Sequence, residues 1–229
     1  MNIEIDITYR CNLKCRNCNR QCYQYPSETD MTPEQIDRFV EQSKEEGVFW
    51  ECVSFLGGEP LLHPGLDDFI AKVRPVCRSV RVATNGTLSR NLDLRPGDVY
   101  EDSGKTSPFP VFCPGNVAAK DLYPGHDSET YHVGCYIPGT CGYGLTAYGY
   151  YPCGIAGAID RVFNFDVGKR HLRDLLREGA ITEMFERFCP LCGWCLVKDH
   201  GYPRTSTQLY SQSWMEAIKA ADEKRMTSF

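Results

Sequence analysis

Cys11, Cys15 and Cys18 are spaced C-x3-C-x2-C within one short stretch. Three thiolates from one loop can grip three corners of a four-iron, four-sulfur cube and leave the fourth iron open. An open metal position is where a substrate or cofactor binds, by the logic that separates catalytic from structural zinc sites. The alternative is a zinc knuckle with Cys22 as the fourth ligand. A second chemical stretch is Gly57-Gly58-Glu59-Pro60. Adjacent glycines let the backbone approach a ligand closely, and the Glu59 carboxylate offers an ammonium a charged partner. The third is Asn85-Gly86-Thr87, which suits a tight turn. Further along, Cys135, Cys141 and Cys153 precede a second cluster, Cys189, Cys192 and Cys195. A structural zinc site with four cysteine ligands is one use for these, since zinc takes similar C-x2-C pairs.

The chain has 13 cysteines among 229 residues. A disulfide framework needs an oxidising compartment, and such scaffolds are usually far smaller. The N-terminus opens straight into Asn2-Ile3-Glu4-Ile5-Asp6-Ile7 with no secretory leader, so a cytoplasmic protein is expected. Cys52 and Cys77 read as ordinary buried thiols, whereas clustered cytosolic cysteines usually hold a metal. Apolar residues make up 42%, charged residues 24% and aromatics 12%, which is globular composition. A net charge of -5 without a Lys/Arg block argues against nucleic acid as a partner. No apolar run approaches the length of a membrane span.

The elements that must position these residues follow from periodicity. Residues 3–8 alternate apolar and polar, which predicts a strand ending at the first cysteines. Thr32-Pro33-Glu34-Gln35 predicts a helix start, with Thr32 as N-cap, Gln35 completing a capping box and Gly47 closing the helix. Trp50 to Phe55 is a second strand, a helix runs from about Leu66 to Arg74, and Val80 to Thr84 is a third strand. This alternation is the rhythm of a parallel sheet with crossover helices, whose chemistry gathers at the strand C-terminal ends. All three special stretches fall at such ends. Asp98 to Glu101 and Val111-Phe112 are further candidate strands. Residues 144–153 read as a hairpin turning at Tyr148-Gly149. Helices are expected at about 171–178 and 181–187, and a last one from Ser213 to Lys224.

C-x3-C-x2-C after the first strand, Gly-Gly-Glu-Pro after the second and Thr-Asn-Gly-Thr after the third resemble, in that order, the radical S-adenosylmethionine (radical SAM) enzymes. The resemblance covers residues 3 to about 88. It implies a 4Fe–4S cluster on Cys11, Cys15 and Cys18, and SAM chelated at the open iron with its amino group held by Gly57, Gly58 and Glu59. It implies further that a 5′-deoxyadenosyl radical takes a hydrogen atom from the substrate. Asn17 departs from the aromatic residue that relatives often carry before the third cysteine and which contacts adenine. The hairpin ending in Pro152-Cys153, followed by Cys189-Pro190-Leu191-Cys192, is similar to the auxiliary-cluster module called SPASM, or its shorter form, twitch. That likeness implies a second 4Fe–4S cluster on Cys153, Cys189, Cys192 and an upstream cysteine. Cys141, followed by glycine, is the choice over Cys135, with Cys195 able to replace a neighbour. The expected fold is therefore α/β, a truncated parallel (β/α) partial barrel over 1–122. A hairpin-plus-helix auxiliary module over 123–205 and a C-terminal helix over 206–229 complete it. A truncated barrel with one auxiliary cluster is similar in architecture to the 2-deoxy-scyllo-inosamine dehydrogenases, which oxidise an alcohol on an aminocyclitol.

Four further residues are of interest. Glu101 and Ser103, at the end of the fourth strand, are candidates to touch SAM or substrate. Cys113 is a candidate hydrogen-atom donor. His63 is expected only to shape its loop. The expected function is hydrogen abstraction from a polar small molecule, most simply an oxidation, with a flavodoxin or ferredoxin as reductant. The competing readings are an epimerase using a cysteine donor, a maturase of a ribosomal peptide, and a zinc-stabilised binding module.

Overall fold

The computed structural model describes residues 1–105, 115–123, 125, 131–133, 135–195, 209–221 and 226–229. Strand β1 (Asn2–Thr8) leads into the first cysteines, and helix α1 (Pro33–Glu45) carries the chain to β2 (Trp50–Gly57). Helix α2 (Leu66–Val73) then returns it to β3 (Cys77–Thr84), and β4 (Val99–Asp102) follows. The capping box forms as expected, Thr32 accepting from the Gln35 backbone while the Gln35 side chain accepts from that of Thr32. Gly47, at φ +64, follows the end of α1. Short helices α3 (Ala119–Leu122) and α4 (Ile137–Thr140) precede a hairpin of β5 (Tyr143–Thr146) and β6 (Gly149–Tyr151). Helices α5 (Ala156–Phe163), α6 (Leu172–Leu176), α7 (Ala180–Phe188) and α8 (Gln212–Ala220) complete the described elements.

The six strands form one open sheet in the order β4-β3-β2-β1-β5-β6. β1 pairs in parallel with β2 on one side, Ile3 opposite Val53, and with β5 on the other, Ile3 opposite Tyr143. Only β5 and β6 are antiparallel. The alternation in β1 divides its two faces. Ile3, Ile5 and Ile7 join Phe39, Trp50 and Phe69 in one core, and Glu4, Asp6 and Thr8 point to the other side, buried all the same. The hairpin expected in a separate module thus extends the barrel sheet directly beside β1.

Helix α5 was not expected. Residues 156–162 are all buried in it, Gly157 among them, and a glycine inside so short a segment weakens a helical reading. The candidate strand at Val111-Phe112, Cys113, the end of the last predicted helix and the boundary at 205–206 lie outside the described residues.

Candidate active site

The three strand-end motifs meet. The Gly58 N–H donates to the Thr8 carbonyl at 2.7 Å and the Glu59 N–H to that of Arg10 at 2.8 Å. A side-chain carbon on Gly57 would lie 2.3 Å from the Thr8 oxygen, and one on Gly58 would lie 2.1 Å from the Arg10 oxygen. The glycines are therefore required first by the backbone that leads into Cys11. Thr8 and Arg10 both bind Asp30, which fixes that backbone from the far side. Asn85 Nδ2 donates to Asn12 Oδ1 at 2.9 Å and faces the Cys11 sulfur at 3.9 Å.

Glu59 is fully buried. Its Oε1 accepts from Thr84 Oγ1 (2.7 Å) and the Leu61 N–H (3.1 Å), and its Oε2 from the Asn85 N–H (2.8 Å). It braces the second strand end against the third. His63 shapes its loop as expected: Nδ1 accepts from the Gly65 N–H, which leaves Nε2 to donate to the Met31 carbonyl.

A cavity of about 490 Å³ opens beside these ends. Cys11, Cys15, Cys18, Gly57, Gly58 and Asn85 line one part of it, with Glu101, Ser103 and Lys105 from the end of β4. Glu101 pairs with Arg81 at 2.7 Å, and Ser103 Oγ donates to the Thr84 carbonyl at 2.7 Å. Deeper in the cavity, Arg20 binds Glu4 at 2.7 Å and Asp6 at 3.1 Å. Burial raises the Asp6 carboxyl to about 6 despite the opposing Arg20 guanidinium.

The three loop thiols differ. A hydrogen bond from the Cys22 thiol, then the Cys22 and Arg20 N–H groups, pull Cys18 down to about 6 against its burial. Burial raises Cys15 to about 11 and also raises Cys11. The twelve described cysteines are free thiols. Among the described residues no three His, Cys, Asp or Glu side chains converge to hold a single metal ion. A four-iron cube places each thiolate on a different iron, so thiols spread around one cavity wall, with backbone donors at Cys18, fit that group. Asn17 is buried at φ +55, a left-handed conformation that asparagine tolerates, and its Oδ1 accepts from the Leu209 N–H at 2.9 Å.

A second, narrower cavity gathers Cys135, Cys153, Cys189, Cys192 and Cys195 with His132. Burial pushes Cys153 to about 11 and raises Cys189, and the charge of Cys135 adds to both. Cys141 lies in the first cavity instead. There burial and then the Glu4 charge raise its thiol. Ile137, Ile155 and Trp194 line both cavities. Sequence reasoning missed this shared wall, together with Arg20 and its two carboxylates; the alternating Glu4 and Asp6 were the available signal.

Residues 5–101 match the sequence profile of the radical SAM superfamily. That superfamily implies a 4Fe–4S cluster and SAM. The chain is 35% identical over 91 residues to a probable GTP 3′,8-cyclase of Pyrococcus abyssi (strain GE5 / Orsay), covering 40% of this chain and 29% of that protein. It is 35% identical over 91 residues to the GTP 3′,8-cyclase of Aquifex aeolicus (strain VF5), covering 38% and 28%. The chain thus spans less than a third of the length of these curated relatives. Over nearly its whole length the fold is similar to a crystal structure of BtrN in complex with AdoMet and 2-DOIA. The TM-score is 0.54 at 18% identity, covering 91% of this chain and 98% of that one. The open, mostly parallel sheet is the radical SAM partial barrel.

Among the described residues no helix is long and apolar enough to cross a membrane.

Proposed function

We propose that this chain reductively cleaves SAM and abstracts a hydrogen atom from a polar small molecule, oxidising it by two electrons. The observation that carries this reading is one cavity with the C-x3-C-x2-C thiols on one wall and a wall shared with the second thiol set on another. When bound, the cluster and SAM supply a 5′-deoxyadenosyl radical. Cys11, Cys15 and Cys18 would hold the cluster, and Gly57 and Gly58 would receive the SAM amino group, with Asn85, Ser103 and Lys105 around it. Glu59 acts through the loops that it braces. Cys135, Cys153, Cys189 and Cys192 would hold a second cluster, Cys135 taking the upstream place because it shares their cavity.

The cavity's charged interior supports a polar substrate. Glu4, Arg20, Arg81 and Glu101 all face it, where a polar molecule can exchange its water for oriented partners. Similarity to the cyclases covers only about 40% of this chain, and Tyr136, Cys141 and Trp194, which line the cavity, lie outside residues 5–101. A small electron-transfer protein such as flavodoxin or ferredoxin would supply the electron.

An anaerobic assay with dithionite and SAM tests the reading. Wild type is expected to form 5′-deoxyadenosine, and the Cys11→Ala, Cys15→Ala, Cys18→Ala triple variant none. Stoichiometric zinc without sulfide in anaerobically purified protein would refute it. Cys141 in the first cavity favours a second reading, an epimerisation in which a thiol returns hydrogen to the substrate radical. Cys113, the earlier candidate for that role, lies outside the described residues. With a substrate in hand, a product two hydrogens lighter supports oxidation. A product of unchanged formula with one solvent deuterium on carbon, lost in Cys141→Ala, supports epimerisation.

A further inference from the structure

Arg161, on α5, is fully buried beneath the loop that carries Cys18 and Cys22. Its Nη1 donates to the Tyr25 carbonyl at 2.9 Å and its Nη2 to that of Arg20 at 3.1 Å, with the Gln21 carbonyl at 3.5 Å. The guanidinium lies 4.2 Å from the centre of the Tyr9 ring and 4.8 Å from that of Tyr25. A guanidinium is taken out of water only at considerable cost unless its donors are used. Here both Nη atoms are spent on the loop's backbone.

That loop needs an external hold. Both Asn17 and Gln21 adopt left-handed backbone conformations, at φ 55 and 57. For a glutamine this is a strained choice that persists only where the surroundings over-determine it. Within the loop the Gln21 N–H and Nε2 both turn back to the Cys18 carbonyl, so the outward carbonyls of residues 20, 21 and 25 are left for Arg161. The positive charge also acts on Cys22, whose thiol donates to Cys18. The guanidinium therefore stands beside Cys22, in the loop proposed to carry the cluster.

We propose that Arg161 is a positioning residue for the first cysteine site: a clamp from the second half of the chain that fixes residues 20–25 and holds a positive charge beside Cys22. The clamp rests on the geometry alone. Its effect on redox behaviour rests on the function proposed above, because net charge near an iron–sulfur cluster helps set its potential.

The test uses the full chain, loaded anaerobically with iron and sulfide, as wild type, R161K and R161M. Iodoacetamide labelling with peptide mass spectrometry reads Cys22, and half-buried Cys52 on β2 serves as the internal reference. A lysine ammonium cannot span the same carbonyls, and losing one charge-assisted bond makes local opening about tenfold more frequent. Labelling of Cys22 in R161K is therefore expected to rise about tenfold relative to Cys52, and a rate equal to wild type overturns the clamp. A redox titration then follows the paramagnetic signal that changes on adding SAM, the mark of an open iron. R161M is expected to lower its midpoint by about 59 mV, a tenfold loss of reduced cluster at fixed donor potential, and R161K by less. An R161M midpoint equal to wild type overturns the electrostatic role. If R161M does not accumulate as folded protein, the R161K labelling decides the proposal. Absence of a SAM-responsive signal in wild type would sink the reading of the first site and leave the labelling result standing.

Discussion

Glu59→Gln separates two roles for one carboxylate, a brace inside the protein and a partner for the SAM ammonium. The brace has a calculable weight. Three donors converge on Glu59, Thr84 Oγ1 and the Leu61 N–H on Oε1 and the Asn85 N–H on Oε2, at a fully buried position. Glutamine keeps one acceptor oxygen and turns an NH2 toward the third donor. Two buried donors then face each other, at a cost of about 1–3 kcal/mol, and the surviving bonds lose their charge assistance at about 1 kcal/mol more. The sum is about 2–4 kcal/mol. In a chain of this size each kcal/mol moves Tm by about 2–4 °C, so the variant is expected to melt about 4–16 °C lower. Scanning calorimetry of the loaded protein without SAM reads this directly. A variant that melts with wild type but loses SAM affinity would refute the brace and assign Glu59 to the cofactor.

Iron analysis is expected to give about eight irons for wild type and about four for the Cys11, Cys15, Cys18 triple variant under a two-cluster reading. Cys135→Ala should remove the second cluster and Cys141→Ala leave it; the reverse result would return the upstream ligand to Cys141. Gly58→Ala places a carbon 2.1 Å from the Arg10 oxygen and should cost about 1–3 kcal/mol in displaced backbone, read as a lower urea midpoint. An unchanged midpoint would mean the loops part freely. Asp98 binds Arg74 through both oxygens and accepts from the Val80 and Arg95 N–H groups. Burial raises this carboxyl, but those partners outweigh it and bring it to about 2. A folded value below the unfolded one contributes stability above about pH 4 that is lost as pH falls through 2. Asp98→Asn should thus cost about 2–3 kcal/mol near neutrality, and the gap from wild type should narrow between pH 4 and 2. A gap constant across that range would refute the assignment.

What the sequence revealed was whatever is written locally. Alternation in residues 3–8 and helical spacing in 32–47 and 66–73 foretold three parallel strands, and from them that three motifs share a rim. The capping box of α1 was readable because all its atoms lie within four residues. What stayed hidden depends on distant pairing. No local pattern says that β5 pairs with β1 across 140 residues of chain, so the hairpin was assigned to a separate module. α5 escaped because it is short, carries Gly157 and buries Asp160 and Arg161 beside its apolar residues. Cys135 and Cys141 are six residues apart with similar neighbours, and only α4 between them, one short helical turn, delivers them to different cavities. Glu59 was legible as a carboxylate near a ligand but not as one already engaged, because two of its partners, at and just past the end of β3, lie 25 and 26 residues away.

β1 explains why the two thiol sets line adjoining cavities. Its C-terminal end feeds Cys11, whereas Gly142, just before β5, packs against Asn2 at its N-terminal end. Six residues at about 3.3 Å separate those ends by about 20 Å. The cysteine loop closes that interval by descending the inner face of the strand. Arg20 reaches Asp6 and then Glu4, and Asn19 Oδ1 accepts from the Trp194 indole N–H at 3.0 Å. The Trp194 backbone N–H in turn points at the Cys192 sulfur at 3.4 Å. One residue thus touches the loop of the first set and a thiol of the second while walling both cavities. The polar alternation that made β1 recognisable as a strand also supplies the carboxylates that draw this loop inward, so the fold signal and the site come from the same residues.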